Sequence, residues 1–157
     1  MKKASNFVYF ALTFLFLLFT DLYFASVISA KVLSGSRFSN ALFNIVYTEN
    51  TGAAFSIMQN STKFLIVMAI AALILIFLYV LRNLDTIKMK EIFFLSFLAS
   101  GIAGNTYERI FSGYVRDFFD LAFVNFPIFN ISDIFINIGV LGIIILILFT
   151  KKPIKFL

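Results

Sequence analysis

The chain has 157 residues, of which 61% are hydrophobic and 13% are charged, with a formal net charge of +5. Soluble domains are about 45–50% apolar and about 25% charged, so this composition excludes a soluble globular domain and indicates one membrane domain, residues 1–157. The chain has no Cys and no His, which excludes thiol nucleophiles, disulfides and Ser-His catalysis. We expect neither a bound metal ion nor a cofactor.

Four apolar stretches are long enough, or nearly so, to cross a bilayer, which takes about 20 residues. They lie at approximately residues 7–30, 64–81, 92–109 and 133–150. The first contains Asp21 as its only charge, and its apolar run is longer than that of a secretory signal peptide, so we expect it to be retained. The predicted fold is an all-α membrane protein with four transmembrane helices and a small extracytoplasmic β-containing segment.

The distribution of charge predicts the orientation. With both termini in the cytoplasm, eight Lys and Arg and two Asp and Glu lie inside, against five and six outside. Cytoplasmic segments are typically richer in Lys and Arg. The basic net charge is therefore explained by topology rather than by nucleic-acid binding, and we expect no nucleic-acid partner. Chemistry that depends on carboxylates is expected on the outer side.

The first outer segment, residues 31–62, is too polar to span a membrane. Its residues 41–47 (Ala-Leu-Phe-Asn-Ile-Val-Tyr) predict a strand, and residues 49–52 (Glu-Asn-Thr-Gly) predict a turn. Small residues follow at 52–54, where a backbone could approach a ligand closely. Taken alone, the pattern is also that of an ordinary turn with glycine at positive φ.

The second outer segment, residues 110–132, contains Gly113 and Pro127 and therefore cannot be one continuous helix. If it folds back, Asp117 approaches Asp133 at the start of the fourth span. A carboxylate at the edge of the hydrocarbon costs about 2.5 kcal/mol or more, which marks such residues as functional candidates. Two of them together could share a proton and activate water. Residue chemistry alone does not exclude Asp120 in place of Asp117.

Amide and guanidinium side chains lie near these aspartates in the sequence. Asn130 and Asp133 are three residues apart on one face of the fourth span, although Asn130 or Ser132 could simply cap that helix. Asn105 and Arg109 are four apart at the outer end of the third span. A helix–helix hydrogen bond by Asn105 and snorkelling by Arg109 are the structural alternatives.

Together these residues resemble the lipoprotein signal peptidase (signal peptidase II) family. The resemblance covers nearly the whole chain in its length, spans, orientation and order of motifs. Four blocks carry it: residues 50–55 (Asn-Thr-Gly-Ala-Ala-Phe), 104–109 (Gly-Asn-Thr-Tyr-Glu-Arg), 113–118 (Gly-Tyr-Val-Arg-Asp-Phe) and 126–133 (Phe-Pro-Ile-Phe-Asn-Ile-Ser-Asp).

The resemblance implies an intramembrane aspartic endopeptidase that removes the signal peptide from diacylglyceryl-modified prolipoproteins, cutting just before the lipidated Cys. It assigns the catalytic pair to Asp117 and Asp133 and so favours Asp117 over Asp120. Two further residues, Asp21 and Glu108, are implied in supporting roles. The implied substrate-binding residues are Asn50, Gly52, Asn105, Arg109 and Asn130.

The resemblance also implies where the protein acts. We expect a multi-pass protein of the bacterial cytoplasmic (inner) membrane with its active site near the outer leaflet. Its expected partners are lipid-modified prolipoproteins and membrane lipid, and it is expected to be a monomer.

Two positions depart from the family pattern. Ala25 stands four residues after Asp21, where the family usually has Lys, and Glu108 replaces the Asp of the Asn-x-x-Asp-Arg motif. Without the resemblance, Asp21 is a structural partner for backbone amides or an Arg, and Glu108 forms an interfacial charge pair with Arg109. These departures leave the supporting roles of Asp21 and Glu108 open.

Three other functions compete with this one. In a transporter or channel subunit the aspartates relay protons or bind cations, but polar residues here are confined to the outer side of the spans. In a non-catalytic assembly factor, replacing either aspartate by Asn is nearly silent. A Ser-Lys peptidase has Ser61 and Lys63 as its only outer pairing worth naming, where a solvated Lys at a helix start is the plainer explanation.

Overall fold

A computed structural model describes residues 2–52 and 61–149. Residues 53–55 of the first motif block, residue 150 of the fourth predicted span and the C-terminal lysines used for the orientation lie outside the described residues. The described elements, in chain order, are α1 (Lys2–Leu33), β1 (Phe38–Ser39), β2 (Phe43–Asn50), α2 (Thr62–Arg82), α3 (Met89–Ser112), β3 (Val115–Leu121) and α4 (Ile131–Phe149).

Three of the described helices, α1, α2 and α4, are long and apolar enough to cross a membrane. Large apolar side chains cover their outward faces, and Phe16 and Leu75, for example, are 69% and 67% exposed. The predicted span at 92–109 lies within α3, which has 24 residues but is less apolar, since its buried residues include Ser96 and Ser100. The fold is therefore mostly helical, with three candidate spans among the described residues.

Helix α3 is the centre of the bundle and packs against α1, α2 and α4. Glycines allow α4 to approach it closely: a Cβ added at Gly139 would lie 2.6 Å from the backbone nitrogen of Leu98. Small residues at helix interfaces bring membrane helices together because they let backbones pack in van der Waals contact.

The apolar core lies towards the start of α1. The ring of Phe10 meets that of Phe77 edge-on, with centroids 5.2 Å apart, and Val80 and Ile92 are fully buried beside it. Asn6 donates from Nδ2 to the carbonyl of Leu84 at 2.8 Å, which ties α1 to the connection between α2 and α3. The opposite end of α1 packs against the strands β2 and β3.

The sheet has the order β1-β2-β3, and both pairings are antiparallel. The predicted strand at 41–47 is wrong at both ends, because β2 runs from Phe43 to Asn50. Glu49 and Asn50, expected in a turn, pair with Arg116 and Val115 of β3. The partner strand lies more than 60 residues further along the chain, so local turn propensity is overridden by a tertiary contact.

The predicted break in the second outer segment is confirmed. Helix α3 is followed by Gly113, whose φ of 86° places it in the left-handed region typical of glycine at a helix end. After β3 the chain returns, and Phe129 pairs with Phe119 before α4 begins at Ile131. This path places Asp117 of β3 beside the start of α4.

Candidate active site

The start of α4 is organised by a reciprocal pair of hydrogen bonds between Asn130 and Asp133. The Oδ1 atom of Asn130 accepts from the backbone N–H of Asp133 at 2.9 Å, and Oδ2 of Asp133 accepts from the backbone N–H of Asn130 at 3.3 Å. This is a capping box, which satisfies two N–H groups at the helix terminus. Asn130 therefore does cap α4, and the cap also fixes the carboxylate of Asp133.

The same Asn130 side chain reaches the second aspartate. Its Nδ2 donates to Oδ1 of Asp117 at 2.9 Å and to Oδ1 of Asn105 at 3.0 Å. Asp117 and Asn130 are only 3% and 4% exposed, so these bonds form where water competes little. One amide thus links the two aspartates that are distant in sequence.

Two further amides complete the hydrogen bonding of the carboxylates. Asn50, at the end of β2, donates to Oδ2 of Asp117 at 2.9 Å, and Asn105 of α3 donates to Oδ1 of Asp133 at 2.9 Å. Each carboxylate is therefore held by neutral donors from two different elements. Neutral donors orient a carboxylate without adding another buried charge.

Arg109 joins the site to the end of β2. Its guanidinium donates to the carbonyl of Gly52 at 2.6 Å and to the carbonyl of Asn105 at 3.3 Å. Gly52 in turn donates its N–H to Oδ1 of Asn50 at 2.9 Å. The positive charge of Arg109 also favours the ionised form of the Asp117 carboxyl group and so lowers its pKa. All five residues predicted to bind substrate therefore lie around the two aspartates.

Burial raises the pKa of Asp117 to about 7. That value already includes the carboxylate of Asp133, which also raises the pKa, and the hydrogen bonds from Asn50 and Asn130 and the charge of Arg109, which lower it. A buried carboxyl group that keeps its proton near neutral pH, next to a second carboxyl group, can act as an acid while its neighbour acts as a base.

The alternatives that the sequence left open lie elsewhere. Asp120 accepts from Nδ2 of Asn44 at 3.0 Å within the sheet. Lys63 is exposed, and no hydrogen bond joins it to Ser61 in the part of the chain that the structure describes. Among these candidates, Asp117 is the one that Asn130 links to Asp133.

Asp21 of α1 lies behind the pair and contacts Ser132, the residue before Asp133. The hydroxyl of Ser132 donates to Oδ2 of Asp21. A Cβ at Gly104 would overlap both side chains, so the contact requires glycine there. Asp21 therefore has a structural partner on α4, but that partner is a hydroxyl group and not the backbone amide or Arg considered from the sequence.

The alternative in which Glu108 forms a charge pair with Arg109 is wrong. Glu108 binds Arg116 instead, because Arg109 points towards Gly52 while Arg116 of β3 lies against α3. No role for Arg116 was predicted, although its charge, directly before Asp117 in an otherwise apolar stretch, is a signal in the sequence.

Most of the chain is similar to known signal peptidases. Residues 13–149 match the family model described as signal peptidase (SPase) II. The lipoprotein signal peptidase of Fusobacterium nucleatum subsp. nucleatum is 33% identical over 146 residues, covering 90% of this chain and 88% of that protein. That of Brevibacillus brevis is 40% identical over 109 residues, covering 69% and 71%.

A solved structure gives the same result for the fold. It is described as a bacterial membrane enzyme determined by the in meso method at 2.3 Å, and it matches with a TM-score of 0.79 and 28% identity. The match covers 93% of this chain and 94% of that one. This chain is therefore a bacterial membrane protein that belongs to the signal peptidase II family, the peptidases that remove signal peptides from lipoproteins.

Proposed function

We propose that the chain is an intramembrane aspartic endopeptidase with Asp117 and Asp133 as its catalytic pair. Its substrates are diacylglyceryl-modified prolipoproteins, which it cuts just before the lipidated Cys. The observation that carries the proposal is the link through Asn130, whose side chain binds Asp117 while its backbone and cap bind Asp133.

The reaction proceeds by general acid–base catalysis without a covalent intermediate. One aspartate, ionised, takes a proton from water as the oxygen attacks the scissile carbonyl carbon. The other, protonated, polarises the carbonyl oxygen, and the leaving amine is then protonated. The pKa of Asp117, raised to about 7 by burial, supports one shared proton at neutral pH, and that proton belongs to the pair rather than to either residue.

The amides and Arg109 are proposed to bind the substrate backbone around the scissile bond. Asn105 gives one of its two amide hydrogens to Asp133 and keeps the other for a peptide carbonyl. Asn130 gives both of its amide hydrogens to Asp117 and Asn105, so it has only its side-chain oxygen to offer a peptide N–H. Arg109 and Asn50 converge on Gly52, so they set the position of the end of β2. Asp21 and Glu108 are supporting residues, since they bind the neighbours of the aspartates.

We further propose that all four helices span the bilayer, as one domain over residues 1–157, with both termini in the cytoplasm. The central position of α3 supports this proposal. Lys and Arg residues at the helix ends far from the sheet, such as Lys3, Arg82 and Lys90, support the orientation. The sheet and the catalytic pair then lie near the outer leaflet. A monomer is sufficient, and lipid surrounds it.

An outer-leaflet site suits a substrate with a diacylglyceryl anchor, because the acyl chains stay in lipid while the peptide enters between helices. We expect the purified chain in detergent to cut a lipidated prolipoprotein at least about a hundredfold faster than the unlipidated form, since remote binding energy lowers the barrier of the chemical step. Mass spectrometry should find the lipidated Cys as the new N-terminus.

The matched control is the same prolipoprotein with Ser in place of the lipidated Cys, which keeps the peptide and removes the anchor. Equal rates on the lipidated and unlipidated substrates, or a cut at another bond, would contradict the proposed specificity.

A further inference from the structure

Arg116 and Asp117 are neighbours on β3, and their side chains point in opposite directions, as successive strand residues do. Asp117 faces Asn130. The guanidinium of Arg116 faces α3 and α1 instead: it donates to Oε1 of Glu108 from Nε at 2.8 Å and from a terminal nitrogen, and to Oγ of Ser29 at 3.2 Å. Arg116 therefore joins β3 to two helices.

Glu108 also holds the main chain of β3. Its Oε2 atom accepts the backbone N–H of Arg116 at 2.7 Å, so one carboxylate binds both the side chain of Arg116 and the peptide group between Val115 and Arg116. Glu108 is only 6% exposed, and charge-assisted bonds of this kind are about twice as strong as neutral ones. The position of this peptide is therefore fixed from the helix side.

The pairing of β2 with β3 is irregular on one side of Asp117. Phe119 pairs with Ile45 and Asp117 with Thr48, so β2 has one more residue than β3 across this interval. Such a bulge disrupts the ladder locally and bends the strand. The irregularity lies on one side of Asp117, and on its other side Arg116 pairs with Glu49 while its side chain adds the contacts with Glu108 and Ser29.

Helix α1 contacts the residue before each catalytic aspartate. Ser29 binds Arg116, and Asp21, two turns earlier on the same buried face, binds Ser132. Ser29 is itself held by the bond from its hydroxyl to the carbonyl at 25. One helix thus contacts the residues that precede Asp117 and Asp133.

We propose that Arg116 is a positioning residue for Asp117: bound to Glu108 and Ser29, it sets where β3 holds this carboxylate relative to Asp133. This inference rests on the proposed function. A contribution to stability alone does not explain the pair, because replacing a buried ion pair by apolar residues is often neutral or stabilising.

The first test replaces Arg116 by Lys, which keeps the charge and removes the planar fork that binds Glu108 and Ser29 together. Misplacing a catalytic group lowers the rate of the chemical step, so kcat should fall about ten- to a hundredfold while KM stays within about twofold. Arg37→Lys, at an exposed position, is the matched control and should leave both constants unchanged. The midpoint of thermal unfolding is measured for each variant.

The second test removes only the contact with α1. Ser29→Ala should lower kcat by about threefold, the size expected for one hydrogen bond. Thr20→Ala is its control, because Thr20 makes the same bond to the carbonyl four residues earlier on an exposed face of α1. If Arg116→Lys does not fold, the pair Ser29→Ala and Thr20→Ala decides alone.

Wild-type kcat in Arg116→Lys, or a change in KM alone, would overturn the positioning role. Equal kcat values for Ser29→Ala and Thr20→Ala would also overturn the positioning role. Asp117→Asn is assayed in parallel to separate the two proposals. If Asp117→Asn is inactive and Arg116→Lys is fully active, only the positioning role is wrong; if Asp117→Asn is active, the proposed function is wrong.

Discussion

Replacing Asp117 or Asp133 by Asn should lower kcat for a lipidated prolipoprotein by about a thousandfold or more, because general acid–base catalysis contributes about 10²–10⁴ and each variant removes one of its two groups. Asn has nearly the shape of Asp and keeps one acceptor oxygen for the bond from Asn50 or from Asn130, which reach different oxygens of Asp117. The measurement is the initial rate of signal-peptide release by the purified variants, with their thermal unfolding midpoints beside it.

Asp120→Asn is the matched control for these variants. Asp120 lies on the same strand, three residues from Asp117, and binds Asn44 rather than the predicted catalytic pair. We expect its kcat to stay within about twofold of wild type, as for a surface change away from the site. Activity that survives in Asp117→Asn, or equal losses in all three variants, would be incompatible with the assigned pair.

Replacing Asn130 by Ser separates its two roles and should have the second-largest effect. Ser is as good an N-cap as Asn, so α4 should keep its start, but Ser has no amide to donate to Asp117. We expect kcat to fall about a hundredfold through misplacement of the carboxylate. Unfolding midpoints and single-turnover rates measured on the same preparation test both parts.

Asn130→Ala is the comparison for that variant, because it loses the cap as well. It should unfold with about 1 kcal/mol less free energy than Asn130→Ser, at a similar kcat. Wild-type kcat in Asn130→Ser would show that the link to Asp117 has no role in the reaction. A loss of kcat only in Asn130→Ala would assign the effect to the cap.

Much of the fold could be predicted because its signals are local. The apolar runs give α1, α2 and α4, and Gly113 and Pro127 require the chain to turn back between α3 and α4. The end of β2 could not be predicted in this way, since Glu49 and Asn50 become strand residues only by pairing with β3. Composition also does not reveal that α3 is central, because its serines and glycines reduce its hydropathy while they allow close packing.

In the site, too, contacts between residues near in sequence could be predicted and contacts between distant residues could not. Asn130 and Asp133 share a helical turn, so their proximity follows from spacing. The contacts of Arg116 with Ser29 and of Ser132 with Asp21 join residues 87 and 111 positions apart, and no periodicity encodes them. Adjacency in the sequence suggests an ion pair between Glu108 and Arg109, but neighbours on a helix point about 100° apart, and Glu108 binds Arg116 instead.

The central claim is that Asp117 and Asp133 act as a pair that needs one proton. Its most direct test is the pH dependence of kcat/KM, which reports the essential groups of the free enzyme. Burial raises the pKa of Asp117 to about 7, so ionisation of this group above that pH leaves no acid to polarise the carbonyl. We expect kcat/KM to fall about tenfold per pH unit on the alkaline side.

The variant Asn50→Leu tests whether the fall of kcat/KM on the alkaline side, the alkaline limb, is due to Asp117. The hydrogen bond from Asn50 lowers the pKa of Asp117, so its removal should move the alkaline limb to higher pH. A value of kcat/KM that stays constant up to about pH 9, two units above the pKa, or a limb that does not move in Asn50→Leu, would contradict the shared proton and with it the aspartic mechanism.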